Sequence, residues 1–444
     1  MLSKSIYACN PSYIVGCTNF FSASRISLAQ VDLLNSHPDH PNSFNNLNVQ
    51  SELGDQVEQN YDYQNYDYYI DLAAGRGEDV VKRLRRTIAL SPNRPTMQCL
   101  FGNKGSGKTT ELFRLKHQLE QQGFVVIYGA IDHYLVMGEV KSPEIGLLLI
   151  YLVIQYLENQ MQMQGKPVTL SYLPNAIAEI ENWLRILPPE SWVSYSSRLL
   201  RIFQFLQDHP QQSRQIKYLR HYLEPCLKGS LLTVADELTT TAIDVIKKIS
   251  KKGLVILLDN LDHLPLSQIP AIFNDGGKYL QHFPCHIVYT LRSPESDASL
   301  SISKYQTPEQ ELDLELNNSQ HADLIFRNIL QTLPKNSQLH LPKLQLDHHN
   351  QRPEVLDLLR QIVLVRLLPT LTPDQRLANI TGMFDRLETL DELCTVSKGD
   401  LSHLIAWLYG CWQLQDPPFS AATVKEVLNL HFNYTDLLLG ATYE

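Results

Sequence analysis

The residues with the clearest chemistry form the stretch "GNKGSGKTT" at positions 102–110. Its spacing fits the pattern G-x-x-x-x-G-K-[ST], in which backbone N–H groups surround a phosphate and a lysine adds a positive charge. Glycines at 105 and 107 allow the unusual dihedrals that turn those groups inward. Lys108 is expected to reach the β- and γ-phosphates, and the Thr109 hydroxyl to ligate magnesium.

The stretch therefore predicts that the chain binds ATP or GTP, and the alternative is a glycine-rich turn that holds no ligand. The predicted phosphate-binding residues are Gly102, Asn103, Lys104, Gly105, Ser106, Gly107, Lys108, Thr109 and Thr110.

A second group of polar residues ends the apolar run in "VILLDNLDHL", residues 255–264. An acid at the end of a buried parallel strand lies where open α/β sheets bind ligands, so Asp259 is predicted to hold magnesium. Asn260 follows where many hydrolases of this kind carry a glutamate that activates water. Its amide cannot take a proton but can orient water. Asp262 has two interpretations, a helix N-cap or a general base displaced onto the loop.

A third stretch, "HIVYTLRSP" at residues 286–294, places Thr290 and Arg292 at the end of another strand. Thr290 is predicted to sense the γ-phosphate, and the alternative is an ordinary threonine at a strand end. Arg292 either contacts the γ-phosphate in its own or a neighbouring subunit, or forms a surface salt bridge.

The elements that must position these residues alternate between strand and helix. A short apolar strand, Met97 to Phe101, precedes the phosphate loop, and a helix from about Thr109 to Gln121 follows it. The segments "FVVIYGAID", "GLVILLDN" and "CHIVYTLR" are typical of buried strands, and "LHLPKLQL" could supply one more. This order predicts an α/β fold with a parallel sheet.

The expected architecture is a parallel-sheet P-loop NTPase core with a helical insert and a C-terminal helical lid domain. The predicted boundaries are a poorly ordered or extended N-terminal segment (1–69), the first part of the core (70–159), the helical insert (160–250), the second part of the core (251–346) and the lid (347–444).

Composition narrows the function classes. The chain has 444 residues and a net charge of -9, which argues against broad, non-specific nucleic-acid binding. Its seven cysteines lack zinc spacing, and reduced thiols fit a cytoplasmic protein. The longest apolar run, Ile145 to Leu157, is too short for a membrane span and predicts a buried helix.

Five stretches in order carry a resemblance: "DLAAGRGEDVVKRL", "LFGNKGSGKTTELFRLKHQLEQQGFVVIYGAID", "GLVILLDNLDHL", "HIVYTLRSPES" and "LDELCTVSKGDLSHLIAWL". Together they resemble bacterial AAA-type ATPases of the signal-transducing (STAND) and origin-recognition-like branch, of the cyanobacterial type, over about residues 70–444. The resemblance implies ATP-driven switching or oligomerisation. It assigns phosphate and magnesium to Lys108 and Thr109, magnesium to Asp259 and γ-phosphate sensing to Thr290. It places Arg76 where the leading segment of such proteins approaches the adenine.

Two departures from the family pattern predict slow hydrolysis. The family's lid often carries an arginine where this chain has Ser402, and Asn260 replaces the hydrolytic glutamate. Each change removes a group that stabilises charge or activates water, which typically costs a factor of about a hundred or more in rate.

The leading hypothesis is a cytoplasmic ATPase switch in signalling or defence that uses ATP and Mg²⁺. Its ATP state would promote homo-oligomerisation or binding of a partner protein. The alternatives are a DNA-associated ATPase of the initiator or loader type, and a nucleotide-binding scaffold without turnover. Nucleic-acid binding is not favoured, because the last hundred residues contain few Lys or Arg.

Overall fold

The three-dimensional structure is a computed structural model. It describes residues 69–430, except for 92–93, 138–139, 164, 166–167, 187–192, 209–231, 266–267, 274–277, 294–326, 328–329, 332, 343 and 345–352. Apart from Tyr69, the predicted N-terminal segment lies outside the described residues.

The centre of the fold is a parallel five-stranded sheet, as the sequence predicted. The strand order is β2-β3-β4-β1-β5, so β4 lies between the strand before the phosphate loop and the strand that ends in Asp259. The described strands are β1 (Met97–Gly102), β2 (Val125–Ala130), β3 (Leu254–Asp259), β4 (His286–Arg292) and β5 (Gln338–His340). All four pairings are parallel, and therefore the carboxyl ends of the strands share one edge of the sheet.

The described residues form two compact units. The sheet unit comprises Asp79–Lys104 and Arg114–Pro342. The lid unit comprises residues 69–78, Gly105–Phe113 and the described residues from Leu344 onward. The predicted boundary at residue 70 placed the leading segment with the sheet. In the structure this segment belongs to the lid unit, and Leu72 is buried in that unit's hydrophobic core.

The sheet unit surrounds its strands with helices. They are α2 (Val80–Ala89), the later turns of α3 (Lys108–Gln121), α4 (Ser142–Met163), α5 (Leu173–Leu184), α6 (Tyr195–Asp208), α7 (Leu232–Lys248), α8 (Ile269–Phe273) and α9 (Lys278–Gln281). The described part of residues 160–250 is largely helical, as predicted, and α4 to α7 share one hydrophobic core with the strands.

The long apolar helix α4 is buried over nearly its whole first two thirds. That confirms the sequence prediction of a buried helix for the run that begins at Ile145. Among the helices of the described residues, none combines the length and the apolar character that crossing a membrane requires.

The lid unit is helical. Its helices are α1 (Ala73–Arg76), the first turns of α3, α10 (Pro353–Leu367), α11 (Pro373–Ala378), α12 (Leu387–Val396), α13 (Leu401–Leu414) and residues 421–430. The stretch "LDELCTVSKGDLSHLIAWL" lies in helices α12 and α13. The turn between them uses positive φ at Lys398 (49°) and Gly399 (79°).

Candidate functional site

The phosphate loop joins the end of β1 at Gly102 to the start of α3 at Lys108. Gly105 and Gly107 have φ of +75° and +86°, a left-handed conformation that glycine adopts at little cost. The side chains of Ser106 and Lys108 are buried. The Ser106 Oγ has no hydrogen-bond partner among the described residues, although buried hydroxyls are normally paired. The loop thus has the conformation and an unsatisfied polar atom that suit a bound phosphate.

Arg76 holds this loop from the lid unit. Its guanidinium donates to the carbonyl oxygen of Ser106 and forms an ion pair with Glu111 in the first turn of α3. A planar guanidinium can donate in two directions at once, so one side chain fixes both the loop and the helix that follows it. The resemblance placed Arg76 near the adenine, and that role stays a prediction.

The start of α13 also contacts the phosphate loop. The backbone N–H of Leu401 donates to the carbonyl oxygen of Gly105 at 3.0 Å. The Asp400 carboxylate lies directly against Gly105, where an added Cβ would overlap it. Asp400 also caps α13, because its side chain accepts from the N–H of His403 at 3.0 Å. Ser402, which the resemblance placed where the family's lid often carries an arginine, is exposed.

Asp259 lies at the carboxyl end of β3 and is 1% exposed. Three groups of the sheet unit donate hydrogen bonds to its carboxylate: the Tyr128 hydroxyl at 3.0 Å, the Thr290 hydroxyl at 2.7 Å and the Asn260 backbone N–H at 2.9 Å. These three hydrogen bonds hold the carboxylate in a fixed orientation. It is the donor that a magnesium ion would require at this edge of the sheet.

The two predicted residues of β4 lie at the same edge. Thr290 is fully buried and uses its hydroxyl proton on Asp259, so it orients that carboxylate. Arg292 is the strand's last residue and pairs in register with Gly102, the first residue of the phosphate loop. Sensing of γ-phosphate by either residue remains a prediction.

Asn260 has a left-handed backbone, with φ of 67°. Its side-chain amide donates to the carboxylate of Asp132 at 2.8 Å. Asp132 lies in the one-turn 3-10 helix Ile131–His133 that follows β2, the neighbour of β3 in the sheet. Asn260 is thus paired with a carboxylate from the adjacent strand end.

His263 completes this polar cluster, which we call the strand-end triad of Asp132, Asn260 and His263. Its Nδ1 lies 3.4 Å from the Asp132 carboxylate. The hydrogen bond that His263 donates to Asp132 raises the pKa of His263. The charges of Asp262 and Asp132 add to that effect, and burial and the charge of Lys104 oppose it. Burial raises the pKa of Asp132, but hydrogen bonds from His263 and Asn260 and the nearby histidine charges outweigh it, so the net shift is downward.

Asp262 is the second residue of the 3-10 turn Leu261–His263, whose N-cap is Asn260. The N-cap interpretation of Asp262 therefore does not hold for this turn. Sequence reasoning missed Asp132, His263, Asp400 and the loop-holding role of Arg76. An acid two residues after a buried strand was the one available signal for Asp132, since such positions meet at the carboxyl edge of a parallel sheet.

Comparisons with known proteins give only a distant structural likeness. No protein-family model matches the chain, and no curated protein does either. The Orc1 protein of Aeropyrum pernix, solved in complex with DNA, superposes with a TM-score of 0.33 at 13% identity over 79% of this chain. Cdc6p from Pyrobaculum aerophilum gives a TM-score of 0.28 at 14% identity over 78% of this chain. The match spans 64% and 66% of those two chains.

Proposed function

We propose that the chain binds ATP and Mg²⁺ and hydrolyses ATP slowly, so that its nucleotide state switches assembly or the binding of a partner protein. The observation that carries the proposal is the phosphate loop, with left-handed Gly105 and Gly107 and a buried, unpaired Ser106 hydroxyl beside Lys108. It leaves the sheet at the edge where β3 ends in a fixed, buried Asp259.

Each residue of the proposed site has a definite task. The backbone N–H groups of the loop bind phosphate oxygens, and Lys108 adds a positive charge toward the outer phosphates. Thr109 and Asp259 hold Mg²⁺, which neutralises phosphate charge when bound. The Thr290 and Tyr128 hydroxyls keep the Asp259 carboxylate oriented.

Slow turnover is supported by the groups that flank the site. Position 260 carries an amide, and Ser402 stands where the lids of the family that this chain resembles often carry an arginine. The lid contacts the phosphate loop through Asp400 and Leu401, within the lid unit itself. A change in the conformation of the loop on nucleotide binding would therefore alter its contacts with the start of α13. Through these contacts the nucleotide state could control assembly. Cytoplasmic location and homo-oligomerisation belong to this proposal.

The test measures phosphate release, ATP affinity and oligomeric state together. Wild type is compared with Lys108→Ala and with Lys82→Ala, which removes a lysine on the exposed face of α2. We expect Lys108→Ala to abolish binding and release, and Lys82→Ala to behave as wild type. We also expect ATP to change the oligomeric state, or the binding of a partner, in wild type and Lys82→Ala but not in Lys108→Ala.

Other outcomes select the alternatives. Tight, Lys108-dependent ATP binding without any phosphate release supports a scaffold. Retention on duplex DNA that falls steeply with salt supports the DNA-associated ATPase. Wild type that binds no ATP refutes the proposal.

A further inference from the structure

Two strand ends that are distant in sequence meet in the strand-end triad. The Asn260 amide donates to one oxygen of the Asp132 carboxylate at 2.8 Å, and His263 Nδ1 lies 3.4 Å from the other. Asp132 follows β2 and Asn260 follows β3, and the two strands pair from Val125 opposite Leu254 to Ala130 opposite Asp259. The register therefore brings the Asp132 carboxylate beside the residue that follows the magnesium ligand.

We propose that Asp132 is the general base of ATP hydrolysis, with Asn260 and His263 as positioning residues that hold its carboxylate. This inference rests on the proposed function. It assigns to the end of β2 the carboxylate that related hydrolases carry directly after the acidic strand.

The backbone at position 260 explains why the acid is not there. Asn260 is left-handed at φ 67°, a conformation that Asn tolerates and that costs most other residues about 1–2 kcal/mol. A glutamate at this position would be strained. It would also place a second carboxylate beside Asp132 and remove the amide donor. Asparagine avoids all three costs and leaves one carboxylate at the site.

Asp132 has the properties that a base requires. Its side chain is 27% exposed, so water can reach it. Two donors hold it in one orientation, and each carboxylate oxygen keeps a further lone pair that can accept from water. The hydrogen bonds keep it ionised at neutral pH, because they lower its pKa against the effect of burial.

One residue of the phosphate loop acts electrostatically on the triad. The positive charge of Lys104, a loop residue of the same unit, is close enough to oppose protonation of His263. The charged groups that act on the triad are Lys104 from the loop, His133 beside Asp132, and Asp262 beside His263.

The chemical step balances without any additional reactant. Asp132 accepts one proton from a water molecule whose oxygen forms a bond to the γ-phosphorus. The bond between that phosphorus and the β,γ-bridging oxygen breaks, and its electrons stay on the bridging oxygen of ADP. Inorganic phosphate leaves, and Asp132 returns its proton to solvent.

Two carboxylates compete for the role, and conservative substitutions separate them. Asp132→Asn keeps the size of the side chain and its capacity to pair with Asn260, but removes the base. Asp262→Asn tests the competing carboxylate, three residues after Asp259, and Asp236→Asn, at an exposed position of α7, is the matched control. Loss of a general base costs about a factor of 10² to 10⁴. We expect Asp132→Asn to slow single-turnover phosphate release at least about a hundredfold, and by far more than Asp262→Asn does, whereas Asp236→Asn should change it less than about threefold.

Asp132 also joins two loops, so a loss of turnover alone would not separate a catalytic role from a structural one. ATP affinity and the pKa of His263 make that distinction. ATP affinity should stay within about threefold of wild type in Asp132→Asn, since a base is not needed for binding. The His263 pKa, followed by NMR and assigned with His263→Gln, should fall in Asp132→Asn because its acceptor is lost.

An exchange variant tests whether the loss of rate in Asp132→Asn comes from misfolding. Asp132→Asn combined with Asn260→Asp restores the amide–carboxylate pair and moves the carboxylate to position 260, where aspartate tolerates the left-handed backbone. We expect it to recover at least about tenfold of the lost rate, since a base is present again.

Two results would overturn the inference. In the first, Asp132→Asn releases phosphate at a rate within about threefold of the wild-type rate. In the second, Asp262→Asn shows the hundredfold loss of rate instead. Loss of turnover together with loss of ATP binding in Asp132→Asn also overturns it, and assigns Asp132 a purely structural role. If the wild-type protein shows no Lys108-dependent phosphate release, the proposed ATP hydrolysis itself fails. The wild-type measurement alone distinguishes this result from a failure of the Asp132 assignment.

Discussion

Arg76 and Glu111 form an ion pair whose side chains are 3% and 4% exposed, and the same guanidinium donates to the phosphate loop at Ser106. The two residues are far apart in sequence, one at the end of α1 and the other in the first turn of α3. The loop conformation therefore depends on a side chain from the leading segment of the lid unit.

Replacing Arg76 with Met should weaken ATP binding at least about tenfold, because Glu111 loses its charged partner and the loop carbonyl loses a donor. Breaking a buried pair of this kind typically costs about 3–5 kcal/mol. Arg76→Lys should recover part of the loss, since it keeps the charge but not the two-direction geometry. A fluorescent nucleotide titration and urea unfolding measure the two effects.

The control for Arg76→Met is Arg360→Met. Arg360 pairs with Asp391 through two hydrogen bonds, at 2.6 and 2.8 Å, elsewhere in the lid unit. It should lower stability without changing ATP affinity. Equal nucleotide affinity in wild type and Arg76→Met would show that the loop does not need this side chain.

Gly105→Ala should abolish ATP binding for two separate reasons. The residue has φ of +75°, which strains any side chain, and the new Cβ would overlap the Asp400 carboxylate. Adding Asp400→Ala removes the overlap but not the strain, so the double variant should bind with intermediate affinity. Isothermal titration with ATP separates the two contributions.

Gly165→Ala is the matched control, because Gly165 has φ of +65° and nothing lies within 4 Å of an added Cβ. It should cost only backbone strain, about 1 kcal/mol, and leave ATP binding unchanged. A double variant no better than Gly105→Ala would mean that the carboxylate makes no contribution.

His286 predicts a pH dependence of stability. It is buried at the start of β4, accepts a hydrogen bond from the Thr96 N–H at 3.2 Å, and burial lowers its pKa from 6.5 to about 4. The unfolded chain binds a proton below about pH 6.5, whereas the folded chain does not until about pH 4. The contribution of neutral His286 to the free energy of unfolding is therefore complete above pH 6.5. It declines by roughly 3 kcal/mol as the pH falls from 6.5 to 4.

Urea unfolding at pH 7.5 and pH 5.0 measures this loss. Between those two values, the drop in the free energy of unfolding should be about 2 kcal/mol smaller for His286→Gln than for wild type. His282→Gln, which removes an exposed histidine, should follow the wild-type curve. An identical pH dependence in all three proteins would exclude His286 as the cause.

Several elements were predictable because their signals are local. The strands before and after the phosphate loop are short apolar runs, and the structure places them as β1 and β2. The stretch "CHIVYTLR" was also predicted to be a strand, and the structure places it as β4 between β1 and β3. The sequence could not decide whether Asp262 is a helix N-cap or a displaced general base. That choice depends on where the following turn begins, and only the structure shows that the turn starts at Leu261.

By itself the sequence determined the phosphate loop, because its conformation depends on glycines and a lysine that are contiguous in the chain. It also determined the parallel sheet, since buried strands alternate with helices. Only the tertiary structure decided what surrounds Asn260. Asp132 lies 128 positions before it, and the β2–β3 register alone brings the two together. Pairing between strands depends on packing across the whole core, and no spacing within one stretch encodes it.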